Sequence, residues 1–306
     1  MPRQIGPLRS RIEYTGIAAV VAGLRAMPLE RAVRAGARLG GWAMNLDRPN
    51  RSIALKNLAI AFPEKSAAER LAILRAMYRN WGRMLAEWAH FNELSRANIE
   101  NVVTYQGKEA WEEAERRSPG RGILVLTAHF GNFELLPLAH SIYGYRIAIV
   151  YRPLRNPLID AAVHSARIRY GNKIVPRKAS GREMFRLLRQ NWMLAITLDL
   201  DVRKGVFVDF FGLPASTSGG MARLAMATGA PVAPCVLVRE GDTIHHRIVI
   251  EPLIEVVKDG NREESVRENT QRFTRTLENL IRTHPDHWNW IHRRWKTRPP
   301  GEARFY

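Results

Sequence analysis

The 306-residue sequence predicts an α/β fold, in which a mostly parallel or mixed sheet is flanked by helices and preceded by a helical region. From about residue 101 onward, short apolar runs alternate with amphipathic segments, an order typical of a sheet covered by helices. Before that point, apolar residues recur at helical spacing. Hydrophobic residues make up 46% of the chain, which is enough for one large core.

The first third of the chain is predicted to be helical. Residues 50–62 and 66–94 carry apolar side chains at i, i+3, i+4 and i+7, and Pro63 separates the two helices. Upstream, residues 29–46 place arginines between apolar residues at helical spacing. This pattern fits a helix that lies in the headgroup plane of a membrane, and equally an amphipathic helix packed on the domain.

The N-terminus has one uncharged apolar run, residues 14–24, which ends at Arg25. A membrane-spanning helix needs about 20 apolar residues, so this run is too short to cross a bilayer. We therefore expect residues 1–46 to form a membrane-associating segment. Residues 47–306 are expected to form the main domain, helical to about residue 100.

Seven strands and six helices are predicted beyond residue 100. The strands cover residues 102–106, 123–127, 146–151, 192–198, 206–210, 231–238 and 246–250. The helices cover residues 109–117, 133–142, 157–170, 181–190, 219–228 and 263–284. Pro137 lies inside the second of these helices, so that helix is expected either to begin near Leu136 or to be kinked.

The chain is strongly basic, with a formal net charge of +18. Residues 1–60 hold ten Lys/Arg against three Asp/Glu, a net of +7, and residues 282–304 hold six against two, a net of +4. Such an excess indicates an anionic partner: nucleic acid, acidic lipid headgroups or an acidic protein. Because no nucleic-acid-binding motif is present and the basic residues lie beside apolar segments, an anionic membrane is the favoured partner and nucleic acid is not expected.

The stretch 123–134, Ile-Leu-Val-Leu-Thr-Ala-His-Phe-Gly-Asn-Phe-Glu, carries the candidate catalytic residues. A predicted strand places His129 at its carboxyl end, where open α/β sheets hold their ligands. Glu134 follows in or near the first turn of the next helix, close enough to fix the imidazole tautomer. Because no serine or cysteine obviously accompanies them, His129 is expected to act as a general base on a substrate hydroxyl or amine. A structural histidine is the alternative.

Other chemistries find little support in the sequence. The single Cys235 excludes a disulfide framework and a cysteine-based zinc site, and the remaining histidines lack acids at ligand spacing, so no metal is expected. Neither a phosphate-binding P-loop nor a dinucleotide-binding glycine motif occurs.

Five further blocks follow His129 in order and resemble a known family. They begin with Val150-Tyr-Arg-Pro-Leu-Arg-Asn-Pro, Arg167-Ile-Arg-Tyr-Gly, Asp199-Leu-Asp with Gly205-Val-Phe-Val-Asp-Phe-Phe-Gly, Ala227-Thr-Gly-Ala-Pro, and Trp290-Ile-His-Arg-Arg-Trp. Together with the H-x4-E spacing, these blocks are similar to the lipid A biosynthesis acyltransferase branch of the lysophospholipid acyltransferase superfamily. The resemblance covers roughly residues 10–300.

This resemblance implies an O-acyltransferase that moves a fatty acyl chain from a thioester to a hydroxyl of a lipid A precursor. His129 would remove the hydroxyl proton and Glu134 would hold the imidazole. Arg152, Arg167 and Arg169 would bind substrate or the oxyanion, and the resemblance favours the 167–169 block. An acid from the 199–201 loop, Asp199 or Asp201, would approach the histidine.

The donor implied is acyl carrier protein or acyl-CoA, and no cofactor is expected beside it. The implied location is the cytoplasmic face of the inner membrane, with peripheral or shallow attachment. The acceptor could instead be a phosphoinositide mannoside, a lysophospholipid or an aminolipid, since acceptors are recognised by variable loops. A basic protein that binds membranes or nucleic acid without catalysis is the alternative from another class.

Overall fold

Four helices open the chain in a computed structural model that describes residues 5–177 and 181–306. They are α1 (Pro7–Arg25), α2 (Leu29–Leu46), α3 (Arg48–Ala61) and α4 (Ala67–His90). The α4 helix begins with a capping box in which Ser66 and Glu69 exchange side-chain to backbone hydrogen bonds. It ends four residues before the predicted end, because a 3₁₀ turn follows at Phe91–Glu93.

The α2 helix packs closely against α4. A Cβ atom on Gly36 would lie 2.3 Å from the carbonyl oxygen of Gly82, and one on Gly40 would lie 2.0 Å from that of Tyr78, so only glycine allows this approach. The opposite side of α2 is open, and Trp42 there is 69% exposed. Among residues 5–177 and 181–306, no helix combines the length and the apolarity needed to cross a bilayer.

The rest of the described chain contains nine strands. They are β1 Val103–Gln106, β2 Leu124–Thr127, β3 Ile147–Tyr151, β4 Lys173–Pro176, β5 Met193–Thr197, β6 Val206–Phe210, β7 Leu213–Thr217, β8 Val232–Arg239 and β9 His246–Ile250. Seven of them form a central sheet in the order β1-β9-β8-β2-β5-β3-β4. The five strands from β8 to β4 run parallel, so their carboxyl ends meet at one edge. The β9 strand is antiparallel to β8, and β1 is parallel to β9.

Helices cover both faces of the sheet. They are α5 Lys108–Arg117, α6 Leu135–Ile142, α7 Pro157–Ile168, α8 Gly181–Arg189, α9 Gly220–Thr228 and α10 Arg262–Thr283. Alternate strand residues enter two cores. One core joins Leu124 and Leu126 to α8, α9 and α10, and the other joins Ile123 and Val125 to α5 and α6. This arrangement confirms the predicted α/β class and the helical first third.

The structure contains all seven predicted strands and adds β4 and β7. The β7 strand forms a hairpin with β6, and the two turn residues, Phe211 and Gly212, have φ values of 55° and 78°. Phe-Gly is not among the strong two-residue hairpin signals, which explains why the sequence did not reveal the hairpin. The α6 helix begins at Leu135, so Pro137 lies in its first turn, where its missing N–H costs no hydrogen bond.

Candidate active site

His129 lies two residues beyond β2, at the carboxyl edge of the parallel strands. The turn that follows it is fixed by close packing. Gly131 has a φ of 56°, and a Cβ atom there would lie 1.9 Å from the carbonyl oxygen of Leu237. Asn132 then accepts a hydrogen bond from the amide of Leu135 and donates one to the buried carboxylate of Glu87, at 2.9 and 2.7 Å. The backbone around His129 is therefore held in one conformation.

The imidazole of His129 is hydrogen-bonded to Asp199. Its Nδ1 lies 3.0 Å from Oδ1 of Asp199, and its backbone N–H donates to Oδ2 at 2.9 Å. The indole N–H of Trp288 donates to the same Oδ2, also at 2.9 Å. Asp199 is buried, whereas a quarter of the His129 side chain is exposed. This geometry makes Nδ1 the protonated nitrogen and leaves Nε2 as the free base.

The charges of this pair shift both pKa values. Burial alone would lower the pKa of His129, but the charge of Asp199 and its hydrogen bond outweigh burial, so the net pKa lies above 6.5. Burial alone would raise the pKa of Asp199. The charge of His129 and the donated hydrogen bonds, including that from Trp288, outweigh it and hold the pKa well below its usual range. Asp199 is therefore ionised at neutral pH.

Glu134 does not hold the imidazole, which corrects the expectation drawn from the sequence. Its two carboxylate oxygens instead accept hydrogen bonds from Nε and Nη2 of Arg167, at 2.8 and 2.6 Å. The physical reason is that Glu134 immediately precedes α6 and meets α7, which carries Arg167. The charge of Glu134 still contributes to the raised pKa of His129, after the two contributions from Asp199.

Arg167 is the predicted arginine best placed for a reacting group. It lines the same cleft as His129, and its guanidinium carbon lies 4.5 Å from the ring centre of Tyr151. Its Nη1 is buried and has no hydrogen-bond partner in the described part of the chain. A buried N–H group without a partner beside a cleft is suited to donate a hydrogen bond to an oxygen of a bound ligand.

The other predicted residues lie apart from the imidazole. Asp201 accepts hydrogen bonds from the amide and hydroxyl of Thr297, both at 3.0 Å, so Asp199 is the aspartate that contacts His129. Arg169 is exposed just beyond the end of α7 and is not among the residues that line the cleft, so its role in binding stays a prediction. Arg152 lines the cleft near its mouth.

The C-terminal segment, residues 285–298, is hydrogen-bonded to the backbone around His129. The amide of Asn289 donates to the carbonyl of His129 at 3.2 Å, and the carbonyl of His287 accepts from Gly131 at 2.9 Å.

The same segment also contacts the loop after β5 and the β6–β7 hairpin. Burial lowers the pKa of His292 to about 4, so its neutral Nε2 accepts a hydrogen bond from the amide N–H of Asp201 at 2.9 Å. Arg294 donates to the carbonyl of Ser216 at 3.1 Å and so joins the β6–β7 hairpin to the same segment.

The cleft has a volume of about 810 Å³ and is mainly apolar away from His129. Residues from both faces of the sheet line it. On the α6 side these are Val125, Leu136, Ile147, Ile149 and Ala195, and on the α9 side they are Val150, Ile196, Leu198 and Met221. A space of this size and lining suits hydrocarbon chains.

Three residues of the site were not predicted from the sequence. Trp288 lies two residues before the C-terminal block that carries the family resemblance, and nothing in its neighbours indicates a bond to Asp199. Arg155 and Arg177 line the cleft at the ends of β3 and β4. Arg155 lies within the block that begins at Val150 and carries part of the family resemblance. Arg177 follows β4, a strand that was not predicted.

Comparison with known families identifies the family of this chain. Residues 7–297 match the family model of the bacterial lipid A biosynthesis acyltransferases. The chain belongs to this family. It is therefore an acyltransferase that transfers an acyl group from an acyl donor to a lipid A-type acceptor. Family membership confirms the resemblance seen in the sequence.

Three relatives from Escherichia coli (strain K12) are similar over most of the chain. The lipid A biosynthesis myristoyltransferase is 28% identical over 96% of this chain and 89% of its own. The palmitoleoyltransferase is 28% identical over 89% and 87%, and the lauroyltransferase is 27% identical over 90% and 88%. Among solved structures, a 1-acyl-sn-glycerophosphate acyltransferase from Thermotoga maritima covers 76% of this chain and 95% of its own, with 16% identity and a TM-score of 0.36.

Proposed function

We propose that this protein transfers a fatty acyl chain from an acyl thioester to a hydroxyl of a lipid A precursor, with His129 as the general base. The observation that carries the proposal is the hydrogen bond between Nδ1 of His129 and Asp199. It fixes the tautomer in which Nε2 is unprotonated, and His129 lines an apolar cleft large enough for an acyl chain.

In the proposed reaction, Nε2 of His129 takes the proton of the acceptor hydroxyl as the oxygen attacks the thioester carbonyl. The new C–O bond forms, the C–S bond breaks, and the imidazolium returns its proton to the leaving thiolate. Asp199 stabilises the imidazolium between these two steps, as the acid does in a serine-protease triad. A positioned base of this kind typically contributes about 10²–10⁴-fold in rate. No acyl-enzyme is formed.

Arg167 is proposed as the donor to the oxyanion of the tetrahedral intermediate. Its Nε and Nη2 groups are held by Glu134, which leaves Nη1 with a fixed direction and no partner in the described residues. Donors fixed before the reaction stabilise developing charge without reorganisation. In this proposal Glu134 acts on the reaction by positioning Arg167, and its charge also raises the pKa of His129.

The donor is proposed to be acyl carrier protein or acyl-CoA, both of which carry anionic groups that suit a chain of net charge +18. No cofactor is proposed beside it. The enzyme is proposed to lie at the cytoplasmic face of the inner membrane, held peripherally. Support for the peripheral attachment comes from the apolar side chains of Leu39, Trp42 and Leu46, which are 40%, 69% and 85% exposed on the arginine-rich α2 helix.

Rates with an acyl carrier protein thioester and a lipid A precursor test the central proposal. His129→Ala should lower turnover by about 10²–10⁴-fold, the contribution of a general base. His164→Ala is the matched control, because His164 is exposed on α7 and does not line the cleft. A folded His129→Ala protein with near-parental turnover would overturn the proposal, and so would a covalent acyl-protein seen by mass spectrometry after mixing with donor alone.

A further inference from the structure

Three exposed arginines that line the cleft form no side-chain hydrogen bond or ion pair within the described residues. The side chains of Arg152, Arg155 and Arg177 all line the cleft, all are exposed, and none makes a hydrogen bond or ion pair with a described residue. We propose that these three guanidinium groups bind a phosphate group carried by one of the two substrates. The inference rests on the proposed function, because it concerns the same cleft.

The ends of β3 and β4 hold the backbone of Arg152 and Arg177 in fixed positions. The β3 and β4 strands are parallel neighbours, with Tyr151 paired to Pro176, so Arg152 and Arg177 follow directly at the same edge. The amide of Arg177 donates to the carbonyl of Tyr151 at 2.8 Å. The ends of the two strands are therefore joined, and their arginines leave the sheet side by side.

The loop that carries Arg155 is also fixed. The carboxylate of Asp160 accepts hydrogen bonds from the Tyr151 hydroxyl and from the amide of Leu154, the latter at 2.7 Å. Asn156 caps α7 through its side-chain oxygen. A loop held in this way fixes the backbone from which the Arg155 side chain extends, so no backbone ordering is needed when a ligand binds.

Two acidic groups that contact this loop, Glu13 and Asp160, are already engaged. Glu13 lies close enough for the charge of Arg155 to act on it, but Glu13 pairs with Arg9 at 2.7 Å and accepts from Asn156 at 3.2 Å. Asp160 is occupied by Tyr151 and Leu154. Neither acid forms an ion pair with the three arginines. The repulsion among the three guanidinium groups is therefore relieved when an anion binds between them.

The number and kind of the cations indicate a phosphate. Arginine presents a planar fork that matches the oxygens of a phosphate group, and several such forks can share its three or four oxygens. In the sheet order, β3 is two strands and β4 three strands from β2, so the strand ends that precede these arginines lie about 10–14 Å across the sheet from the end of β2. The phosphate is therefore remote from the reacting carbonyl.

This remoteness determines the kinetic effect of losing an arginine. A contact to a non-reacting part of the substrate is equal in the ground state and in the transition state, so its loss raises KM and leaves kcat unchanged. A charge-assisted hydrogen bond of this kind corresponds to about a tenfold change in KM. Arg155→Gln and Arg177→Gln should each raise the KM of the phosphate-bearing substrate by about that factor, and the double variant by more.

The experiment is performed in neutral detergent micelles that contain no anionic lipid. Arg275→Gln is the matched control, because Arg275 is exposed on α10, makes no ion pair with a described residue, and does not line the cleft. Each enzyme is assayed with the acceptor before and after treatment with a phosphatase. If the phosphate belongs to the acceptor, the KM difference between parent and variant disappears on the treated acceptor. If it belongs to the donor, the KM of the donor rises instead.

A binding measurement separates this inference from the proposed function. In a His129→Ala background, the acceptor and the donor thioester are titrated separately, and one of them should bind about tenfold more weakly when Arg155 and Arg177 are also replaced. This result does not depend on which residue is the base. The inference is overturned if neither KM nor either dissociation constant changes, or if Arg275→Gln causes the same change.

Discussion

Nδ1 of His129 lies 3.0 Å from Oδ1 of Asp199, although 70 residues separate the two in the chain. They meet because β2 and β5 are adjacent and parallel, with Thr127 paired to Thr197, and each residue follows its strand by two positions. The acid that orients the candidate base therefore comes from the neighbouring strand. Glu134, five residues after His129 in the chain, makes a different contact, the ion pair with Arg167.

Asp199→Asn should reduce kcat by about 10²–10⁴-fold, because an amide no longer stabilises the imidazolium and permits the wrong tautomer. Glu134→Gln should cost less, since it leaves the bond between His129 and Asp199 intact. Initial rates at saturating substrate compare the two variants. A folded Asp199→Asn protein with near-parental kcat would contradict the role assigned to Asp199.

The pH dependence follows from the raised pKa of His129. A general base acts only when deprotonated, so kcat/KM should fall as pH decreases through the pKa of the free enzyme, with the midpoint above 6.5. In Asp199→Asn the main stabiliser of the protonated imidazole is lost, and the midpoint should move to lower pH. Profiles of kcat/KM from pH 5 to 9 measure both midpoints, and a variant midpoint above the parental one contradicts the assignment.

Arg167→Lys should lower kcat by about 10²–10³-fold with little change in KM, if Nη1 of Arg167 meets the oxyanion. Lysine keeps the charge but loses the fork that Glu134 holds. Arg169→Lys is the matched control at the end of the same helix, where the side chain is exposed, and it should keep parental constants. A rise in KM alone for Arg167→Lys would identify a substrate clamp instead.

Trp288→Phe tests a positioning role for the indole N–H that donates to Asp199. Loss of this hydrogen bond leaves more negative charge on Oδ2 of Asp199, which should raise the pKa of His129 further. The acidic limb of the kcat/KM profile should then move to higher pH, and kcat should fall by about tenfold. Trp295→Phe is the matched control, because Trp295 is equally buried but its indole N–H has no partner in the described residues. Equal pH profiles for both variants would contradict the positioning role and leave Trp288 with a structural role alone.

Membrane attachment can be tested without disturbing the packing of α2 on α4. Trp42→Ala combined with Leu46→Ala removes exposed side chains, so the melting temperature should stay unchanged while binding to anionic vesicles falls by about tenfold or more. Added salt should weaken binding of parent and variant alike. Deletion of residues 1–46 is a poorer test, because it uncovers the surface of α4 around Gly82. If the double variant pellets as well as the parent, the attachment lies elsewhere.

The sequence alone determined the parts of the fold that local pattern encodes. The apolar run of β2 and the Gly-Asn turn that follows His129 predicted a histidine at a strand end, and the structure places it there. The arginine spacing of α2 predicted an amphipathic helix, which is found over Leu29–Leu46. Patterns with periods of 2 and 3.6 residues report which side of an element is buried, and that information is local.

Tertiary structure alone decided which charged groups meet. Sequence left Asp199 and Asp201 equivalent, and the order of β2 and β5 in the sheet brought Asp199 to His129 while Thr297 took Asp201. The pairing of β3 with β4 joined Arg177 to the end of β3, and the packing of the C-terminal segment brought the indole N–H of Trp288 to Asp199. Hydrogen bonds and ion pairs act over a few ångströms, so the partners of a charged residue depend on strand order and helix packing, which the spacing of residues along the chain does not specify.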